Sequence, residues 1–368
     1  MAASISFFRN GLAATTGYDV RVLTAPHIVT WIICAAALVA ILIRPRAIAE
    51  WVWAVAGAIA LLASTLLPLG AAAGAVERGF DVYLFLVGMM ALSELARAEG
   101  VFDWLATRAL AAARGSRTRL FVLVYAVGAI VTSLLSNDAT AVVLTPAVFA
   151  ALARTEGDPL PFLYICAFVA NAASFVLPIS NPANLVVFDA HLPRLGPWLA
   201  AFGLPSIVAI VMTFAMLYLV TRKQLRGRFT DEGVIRPLSR AGRVAFICVL
   251  VSAAILVAAA SLGKPIGITT FALGALSSCA VALVDRSIGR SLLRGISWSI
   301  VPLVAGLFVI VAALDRSGVR SLARGFLHHA ETLAPSAGNL LVGAVVSLGC
   351  NLLNNLPIAV VTGYALSA

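Results

Sequence analysis

The stretch SLLSNDATAVVLTPA, residues 133–147, interrupts a run of apolar residues that begins near Leu120. Its polar members include Ser136, Asn137, Asp138 and Thr140. A break in an apolar helix exposes backbone groups that lipid cannot hydrogen-bond, so it must be buried in protein or line a wet cavity. This Ser-Asn-Asp break is therefore the first candidate for a substrate site.

A second copy of the stretch lies 218 positions later, because residues 133–143 align with residues 351–361 without a gap. The offset also holds upstream, where it pairs glycines as well as apolar residues. Identical pairs are Leu134/Leu352, Leu135/Leu353, Asn137/Asn355, Ala141/Ala359, Val142/Val360, Val143/Val361, Gly88/Gly306, Gly100/Gly318 and Val101/Val319. The chain is therefore predicted to be an internal duplication, which is common among secondary transporters.

The composition is that of a membrane protein. Hydrophobic residues make up 61% of the chain and charged residues 11%, and the mean hydropathy is +1.02, whereas soluble domains carry about 25% charged residues. The net charge of +10 lies mainly in short loops between apolar segments, which is the positive-inside pattern. A nucleic-acid partner is therefore not expected.

The pattern divides the chain into four segments. Residues 1–26 are predicted to be an extramembrane or interfacial start, and residues 27–220 a first transport repeat. Residues 221–244 are a basic loop that its charge places in the cytoplasm, and residues 245–368 are a second repeat. This second repeat is predicted to be truncated, because the counterpart of residues 171–184 would fall beyond residue 368.

Apolar segments of roughly 20 residues indicate membrane spans. In the first repeat they predict spans at 27–43, 51–69 and 80–95. The amphipathic, basic stretch 97–119 is interpreted as an interfacial helix. The arms 120–135 and 139–152 are short for spans and predict a re-entrant hairpin; a full span followed by a return span is the alternative.

A second break, PISNPAN at residues 178–184, ends the apolar segment 159–177. Two prolines four residues apart cannot lie in a continuous helix. Ser180, Asn181 and Asn184 supply uncharged donors and acceptors beside it. Such residues often only join helices, but their clustering beside a Pro-broken backbone favours a discontinuous transporter helix.

A further span at 198–220 is predicted to close the first repeat. Because the hairpin does not cross, three spans, the broken span and this closing span give five crossings in residues 27–220, so the second repeat is predicted to be inverted. Its elements are predicted spans at 245–261, 265–284 and 297–314, an amphipathic stretch 319–330, an arm 339–353 and a break at Asn354-Asn355-Leu356-Pro357. The count places the basic stretches 97–119, 221–243 and 285–294 inside. Arg316, Arg320 and Arg324, placed outside, are the exception.

Asp138 is the only acid at either tip. An ionisable side chain within a membrane is a functional hypothesis by default, and we expect Asp138 to bind the coupling proton. The alternative is that Asp138 caps the helix that starts at Ala139. The sequence has no catalytic constellation, metal-ligand spacing or cofactor motif, so we expect no enzyme activity, metal or cofactor.

Three motifs, SNDATAVVLTP at 136–146, LPISNPANL at 177–185 and LNNLP at 353–357, resemble signature stretches of ArsB-type arsenite/antimonite efflux permeases. These belong to the ion transporter superfamily, which also contains citrate and dicarboxylate carriers. The resemblance covers most of residues 27–366. It implies an all-α polytopic membrane protein of two inverted-topology repeats, each with a re-entrant hairpin and a Pro-broken helix, the second repeat being incomplete.

The resemblance also implies a function. Family members export arsenite or antimonite in exchange for protons across the bacterial inner membrane, they are expected to form homodimers, and some couple to a peripheral ATPase. By motif position, Asp138 would be the proton-coupling residue. The substrate-binding candidates are Ser136, Asn137, Thr140, Ser180, Asn181, Asn184, Asn354 and Asn355.

Two alternatives stay open. The first is a sodium-coupled carboxylate or anion transporter of the same superfamily, whose members have Ser-Asn-Thr tips in both repeats. The tips here read Ser-Asn-Asp and Asn-Asn-Leu, and an anionic substrate beside Asp138 would be repelled unless sodium neutralised it. The second is an inactive, truncated membrane subunit.

Overall fold

The computed structural model describes residues 25–153, 155, 157–188, 192–229 and 237–353. These residues form helices joined by turns, without a β-strand, and one isolated antiparallel bridge joins Ser116 to Arg228. The α-helices are α1 (Ala25–Ile43), α2 (Glu50–Ala63), α3 (Leu69–Arg78), α4 (Phe80–Ala98), α5 (Val101–Ala112), α6 (Arg117–Leu134), α7 (Thr145–Leu152), α8 (Leu160–Ala172), α9 (Pro182–Phe188), α10 (Leu195–Thr221), α11 (Arg240–Leu262), α12 (Ile266–Ala282), α13 (Ile288–Gly295), α14 (Ile300–Arg316), α15 (Val319–Thr332) and α16 (Pro335–Leu353). A π-helix (Ala139–Leu144) precedes α7, and short 3₁₀ turns lie at Pro45–Ala47 and Pro178–Ser180.

Several of these helices are long and apolar enough to cross a membrane. Within the described residues there are five such segments, or six when α3 and α4 are counted together as one span. The five are α1, α6, α10, α11 and the stretch Ile288–Arg316. The prediction of an all-α polytopic membrane protein is therefore confirmed.

Some predicted bounds were wrong. The helices α3 and α13 lie in segments without a predicted helix, because the first is rich in alanine and glycine and the second alternates arginines with apolar residues. The amphipathic stretch 97–119 is not one helix either. Gly100 separates α4 from α5, and a turn separates α5 from α6.

The bounds of the second break also differ from the prediction. Helix α8 ends at Ala172, five residues before Leu177, and α9 begins at Pro182. Proline suits the first turn of a helix, since its missing N–H has no partner there in any case. Asn184 therefore lies inside α9 rather than in the gap.

The helix order repeats with the predicted offset. Helices α1–α6 recur as α11–α16; Val101 begins α5 and Val319, 218 positions later, begins α15. Gly100 and Gly318 precede these two helices with φ of 71° and 90°, which glycine adopts without steric cost. The internal duplication thus extends to the helix pattern, whereas the repeat limits and the inverted orientation of the second repeat stay predictions.

The chain forms two compact units, each of which combines helices from both repeats. The first contains α1–α3 and α14–α16. In it, α14 approaches α2 so closely that a Cβ on Gly306 would lie 2.8 Å from the carbonyl carbon of Ala54. The indole nitrogen of Trp31 donates to the Ser317 hydroxyl at 2.7 Å, which joins α1 to the end of α14.

The second unit contains α4–α8 and α10–α13. Its α4 meets α12 at Gly88, where a Cβ would lie 2.5 Å from the carbonyl carbon and oxygen of Thr270. Phe121 on α6 packs against three rings on α8 and α10, with centroids 5.7–6.4 Å away. Aromatic pairs of this kind stabilise helix packing, and these join α6 to α8 and α10.

Some predictions concern residues outside the described ranges. They include residues 1–24 of the N-terminal segment and residues 230–236 of the basic loop. The second tip, with Asn354 and Asn355, also lies there.

We expect Gly88→Ala to destabilise the protein by about 1–3 kcal/mol, because the added methyl group meets backbone atoms of α12, which cannot move aside alone. The control is Gly74→Ala on α3, where a Cβ meets no atom within 4 Å. Higher helix propensity should make that variant neutral or slightly more stable. Thermal unfolding of the purified protein measures both, and equal midpoints would contradict the close approach.

Candidate substrate site

The tip, residues 135–138, separates α6 from the π-helix. Ser136 is buried, and its hydroxyl oxygen accepts the Ala139 N–H at 3.1 Å. Asp138 makes no capping hydrogen bond with its side chain and is exposed. The alternative in which Asp138 caps the helix at Ala139 is therefore wrong, because its side chain accepts no N–H of that helix, whereas the Ser136 hydroxyl accepts the Ala139 N–H.

The helix that follows the tip begins as a π-helix, which has a wider turn than an α-helix. The Thr145 N–H bonds to the Thr140 carbonyl, five residues earlier, and the Thr145 hydroxyl donates to the same oxygen at 3.2 Å. Pro146 follows and has no N–H to continue a regular α-helical ladder. Single-turn π-helices occur mostly inside α-helices and often at functional sites.

A buried pair of hydroxyl groups joins the two arms of the hairpin. Thr132 on α6 and Thr140 on the π-helix are fully buried, and their hydroxyl oxygens lie 2.8 Å apart. Thr132 also lies 2.8 Å from the Gly128 carbonyl, to which it can donate. The Thr140 hydroxyl is therefore a structural partner of Thr132 in this state of the protein.

Ser180 connects the hairpin to the second break. Its hydroxyl accepts the Leu177 N–H at 3.1 Å and donates to the Ser133 carbonyl, near the end of α6, at 2.9 Å. Ser180 is fully buried. The two breaks of the first repeat are thus held together by one side chain.

The unwound segment, residues 173–181, finds partners for its backbone carbonyls in neighbouring side chains. The Asn184 amide nitrogen lies 3.3–3.4 Å from the carbonyl oxygens of Ser174, Leu177 and Pro178. The Phe175 carbonyl accepts from Trp198 and Ser206 of α10 at 3.2 and 3.3 Å. Asn181 accepts the Ala183 N–H at 2.9 Å, so it caps α9.

These bonds divide the predicted site residues into two groups. Ser136, Thr140, Ser180, Asn181 and Asn184 all bond to the protein itself. At the tip, the Asn137 side-chain oxygen is buried without a hydrogen-bond partner, and Asp138 is exposed beside it. Asn354 and Asn355 lie outside the described residues.

The sequence analysis missed Thr132, Ser133 and Trp198 as supports of the site. Thr132 and Thr140 are eight residues apart in otherwise apolar surroundings, which is a weak signal for a paired contact. Trp198 could not be assigned to the Phe175 carbonyl without knowing how α10 packs.

The charge around the breaks is sparse. Residues 120–153 and 157–188 contain no Lys or Arg, and Asp138 and Asp158 are their only acids. Within the described part of the chain, no group of three His, Cys, Asp or Glu side chains could hold a metal ion. What this region offers a solute is therefore uncharged hydrogen-bonding groups and one carboxyl group.

We expect Ser180→Ala to lower the free energy of unfolding by about 1–3 kcal/mol, because it leaves the partly buried Leu177 N–H without its acceptor. The matched control is Ser261→Ala on α11, whose exposed hydroxyl bonds only within its own helix. The control should change stability by no more than about 0.5 kcal/mol. Thermal unfolding measures both, and a Ser180→Ala variant as stable as the control would refute the link between the breaks.

Comparison with known proteins gives relatives that are transporters. The chain is 27% identical over 291 residues to the arsenical pump membrane protein of Escherichia coli (strain K12), which is 75% of this chain and 66% of the relative. It is 29% identical over 292 residues to the arsenical pump membrane protein of Yersinia enterocolitica, with the same coverage of both chains. Another arsenical pump membrane protein of Escherichia coli is 26% identical over 339 residues, 88% of this chain and 77% of the relative. The chain thus spans about two thirds of the length of the first two relatives.

These relatives confirm the resemblance to ArsB-type permeases of the ion transporter superfamily. The model of the CitMHS family, described as citrate transporter, matches residues 28–368. Because this match covers most of the sequence, the chain belongs to the CitMHS citrate transporter family of membrane transporters.

Proposed function

We propose that this membrane transporter exports arsenite or antimonite as the neutral trivalent oxyacid, in exchange for protons. The names of the relatives support the arsenical substrate. The observation that carries the proposal is the buried Asn137 side-chain oxygen, an acceptor without a donor in the described residues. A neutral solute with several hydroxyl groups supplies the donor that this oxygen lacks.

The charge of the region supports an uncharged solute. An anion needs a cation or a cluster of donors, and no Lys or Arg occurs in residues 120–153 or 157–188. Arsenous and antimonous acid need neither, because they bind through hydrogen bonds alone. The neighbouring Asp138 carboxylate is compatible with a neutral hydroxyl donor but repels an anion.

Asp138 is the proposed proton site. Its carboxyl group is exposed at the tip and is not used for capping, so it is available for protonation. A protonated carboxyl donates a hydrogen bond, whereas the carboxylate only accepts. Proton binding therefore alters how this group contacts a solute at Asn137, which provides a basis for exchange.

Other parts of the proposal follow from the family resemblance. We place the chain in the bacterial inner membrane with its basic loops in the cytoplasm, as a homodimer. A peripheral ATPase is a proposed partner.

We expect Asp138→Asn to abolish arsenite uptake into everted membrane vesicles under an imposed proton gradient, because an amide cannot exchange a proton. The matched control is Asp103→Asn on α5, an exposed acid in the same compact unit. It should transport like the unchanged protein. Gradient-driven uptake by folded Asp138→Asn would contradict the role of Asp138 as proton site.

We expect Asn137→Ala to weaken arsenite binding about 10-fold, the effect of one hydrogen bond to a buried acceptor. The measurement is the arsenite concentration at half-maximal uptake in the same vesicles. The maximal rate and its dependence on the proton gradient should change less. An unchanged half-maximal concentration would show that the Asn137 oxygen does not contact the solute.

The description of the family as citrate transporter favours one alternative, a sodium-coupled carboxylate carrier. Citrate uptake that depends on a sodium gradient, without arsenite uptake, would assign the chain to that class. Uptake of neither solute by folded, inserted protein would support a subunit without transport activity.

A further inference from the structure

The residues that follow α10 fold back onto the start of α6. The Phe229 N–H donates to the Gly115 carbonyl at 2.9 Å, and Ser116 and Arg228 form an antiparallel bridge. The Thr118 hydroxyl lies 3.4 Å from the Leu225 carbonyl, to which it donates. Residues 222–229, which we call the linker, are therefore held in place rather than loosely connected.

A buried arginine fastens the linker. Arg117 is only 5% exposed, and its guanidinium group donates to the Gln224 carbonyl at 3.1 Å and to the Asp158 carbonyl. It also lies over the ring of Phe162, 5.4 Å from the centroid. Such a planar, multiply bonded arginine is rigid, so it fixes the linker against α6 and α8.

The linker turns its apolar side chains inward and its cations outward. Leu225 and Phe229 are 2% and 6% exposed. The cations of the linker, together with Arg114 in the turn before α6 and Arg119 in the first turn of α6, are exposed. They form what we call the basic surface: Arg114, Arg119, Arg222, Lys223, Arg226 and Arg228. Within the described residues no ion pair neutralises any of them.

Asp231 and Glu232 follow the linker in sequence but lie outside the described residues, and the side chain of the described Asp158 is already used. Asp158 accepts the Leu160 N–H at 2.9 Å, at the start of α8. The basic stretch before and within α13 differs, because Asp285 accompanies its arginines, and burial together with Asp285 raises the pKa of Glu99. Asp285 and Glu99 thus share one locality with the α13 arginines, while the basic surface has no such acids among its described residues.

We expect the basic surface to lie at the depth of lipid headgroups. Helices α6 and α10 are both long and apolar enough to cross a membrane. The linker follows the end of α10 at Thr221 and is bonded to Arg117 at the start of α6. Charges at the ends of spans sit where the hydrocarbon gives way to phosphate groups. A solvated loop would satisfy the charge pattern equally well, but it would not need a buried arginine and two buried apolar anchors.

We propose that the basic surface binds the phosphate groups of anionic phospholipids. Several cations held in fixed positions at the membrane boundary attract anionic headgroups, each contributing about 5-fold in affinity. The membrane itself is the partner, and no soluble anion or acidic protein is needed. The proposal is independent of the transported solute.

The test is retention of phosphatidylglycerol over phosphatidylcholine by the full chain, counted by native mass spectrometry after exchange into mixed lipid micelles. The variant that carries Lys223→Gln, Arg226→Gln and Arg228→Gln should lose about 100-fold of the preference, because each of the three cations contributes about 5-fold. The control removes three other exposed cations, by Arg286→Gln, Arg290→Gln and Arg294→Gln, and should lose less than about 2-fold. Equal losses in the two variants, or no loss in either, would overturn the proposal.

A second variant separates the fixed geometry from the net charge. Arg117→Lys keeps the charge but cannot bond the Gln224 and Asp158 carbonyls together, so lipid preference should fall although no charge is lost. Unchanged preference in folded Arg117→Lys would refute the role of the fixed linker. If that variant does not fold, the triple substitution of exposed side chains decides.

A final comparison distinguishes lipid from a free anion. The exchange is carried out in phosphate and in chloride buffer at equal ionic strength. Lipid preference should be the same in both buffers. Loss of the bound phosphatidylglycerol in phosphate alone would assign the basic surface to a soluble anion and overturn the lipid proposal.

Discussion

A backbone group inside a bilayer has no water to bind, so every unwound stretch must find its hydrogen-bond partners within the protein. Residues 173–181 meet this requirement with side chains. The Asn184 amide faces three carbonyls, and Trp198 and Ser206 serve a fourth. Polar side chains around a broken helix therefore mainly replace the missing helical hydrogen bonds. Only the polar side chains that make no such bond are available to a solute.

The hydrogen bonds within the protein leave few groups of the two breaks for a solute. Most polar residues of the two breaks bond to the protein, while Asn137 and Asp138 keep groups that the described residues do not engage. The support behind them is extensive. Thr132 holds Thr140, and the aromatic rings around Phe121 hold α6 against α8 and α10. Small, precise sites in transporters need such rigid surroundings, because a solute bound by a few hydrogen bonds tolerates little misplacement.

Much of the fold followed from the sequence, since apolar length, proline and glycine are local signals. The offset that pairs Gly100 with Gly318 predicted a duplication, which the helix order repeats, and the Pro178 and Pro182 pair predicted a broken helix. The partners of the breaks could not be predicted in the same way. Whether Ser136 or Asp138 caps a helix, or which carbonyl Trp198 meets, depends on packing between segments far apart in sequence. The alanine- and glycine-rich α3 carried too weak an apolar signal to predict a helix.

The helix is capped by Ser136 and not by Asp138, and this has a consequence for the stability of the hairpin when Asp138 changes its protonation state. A serine hydroxyl has no charge to lose, so the bond to the Ala139 N–H has the same strength in acid and in alkali. A carboxylate cap would weaken whenever it took up a proton. The N-terminal end of this helix therefore keeps its capping hydrogen bond whether Asp138 is charged or neutral. The hairpin is not destabilised when the charge at position 138 changes.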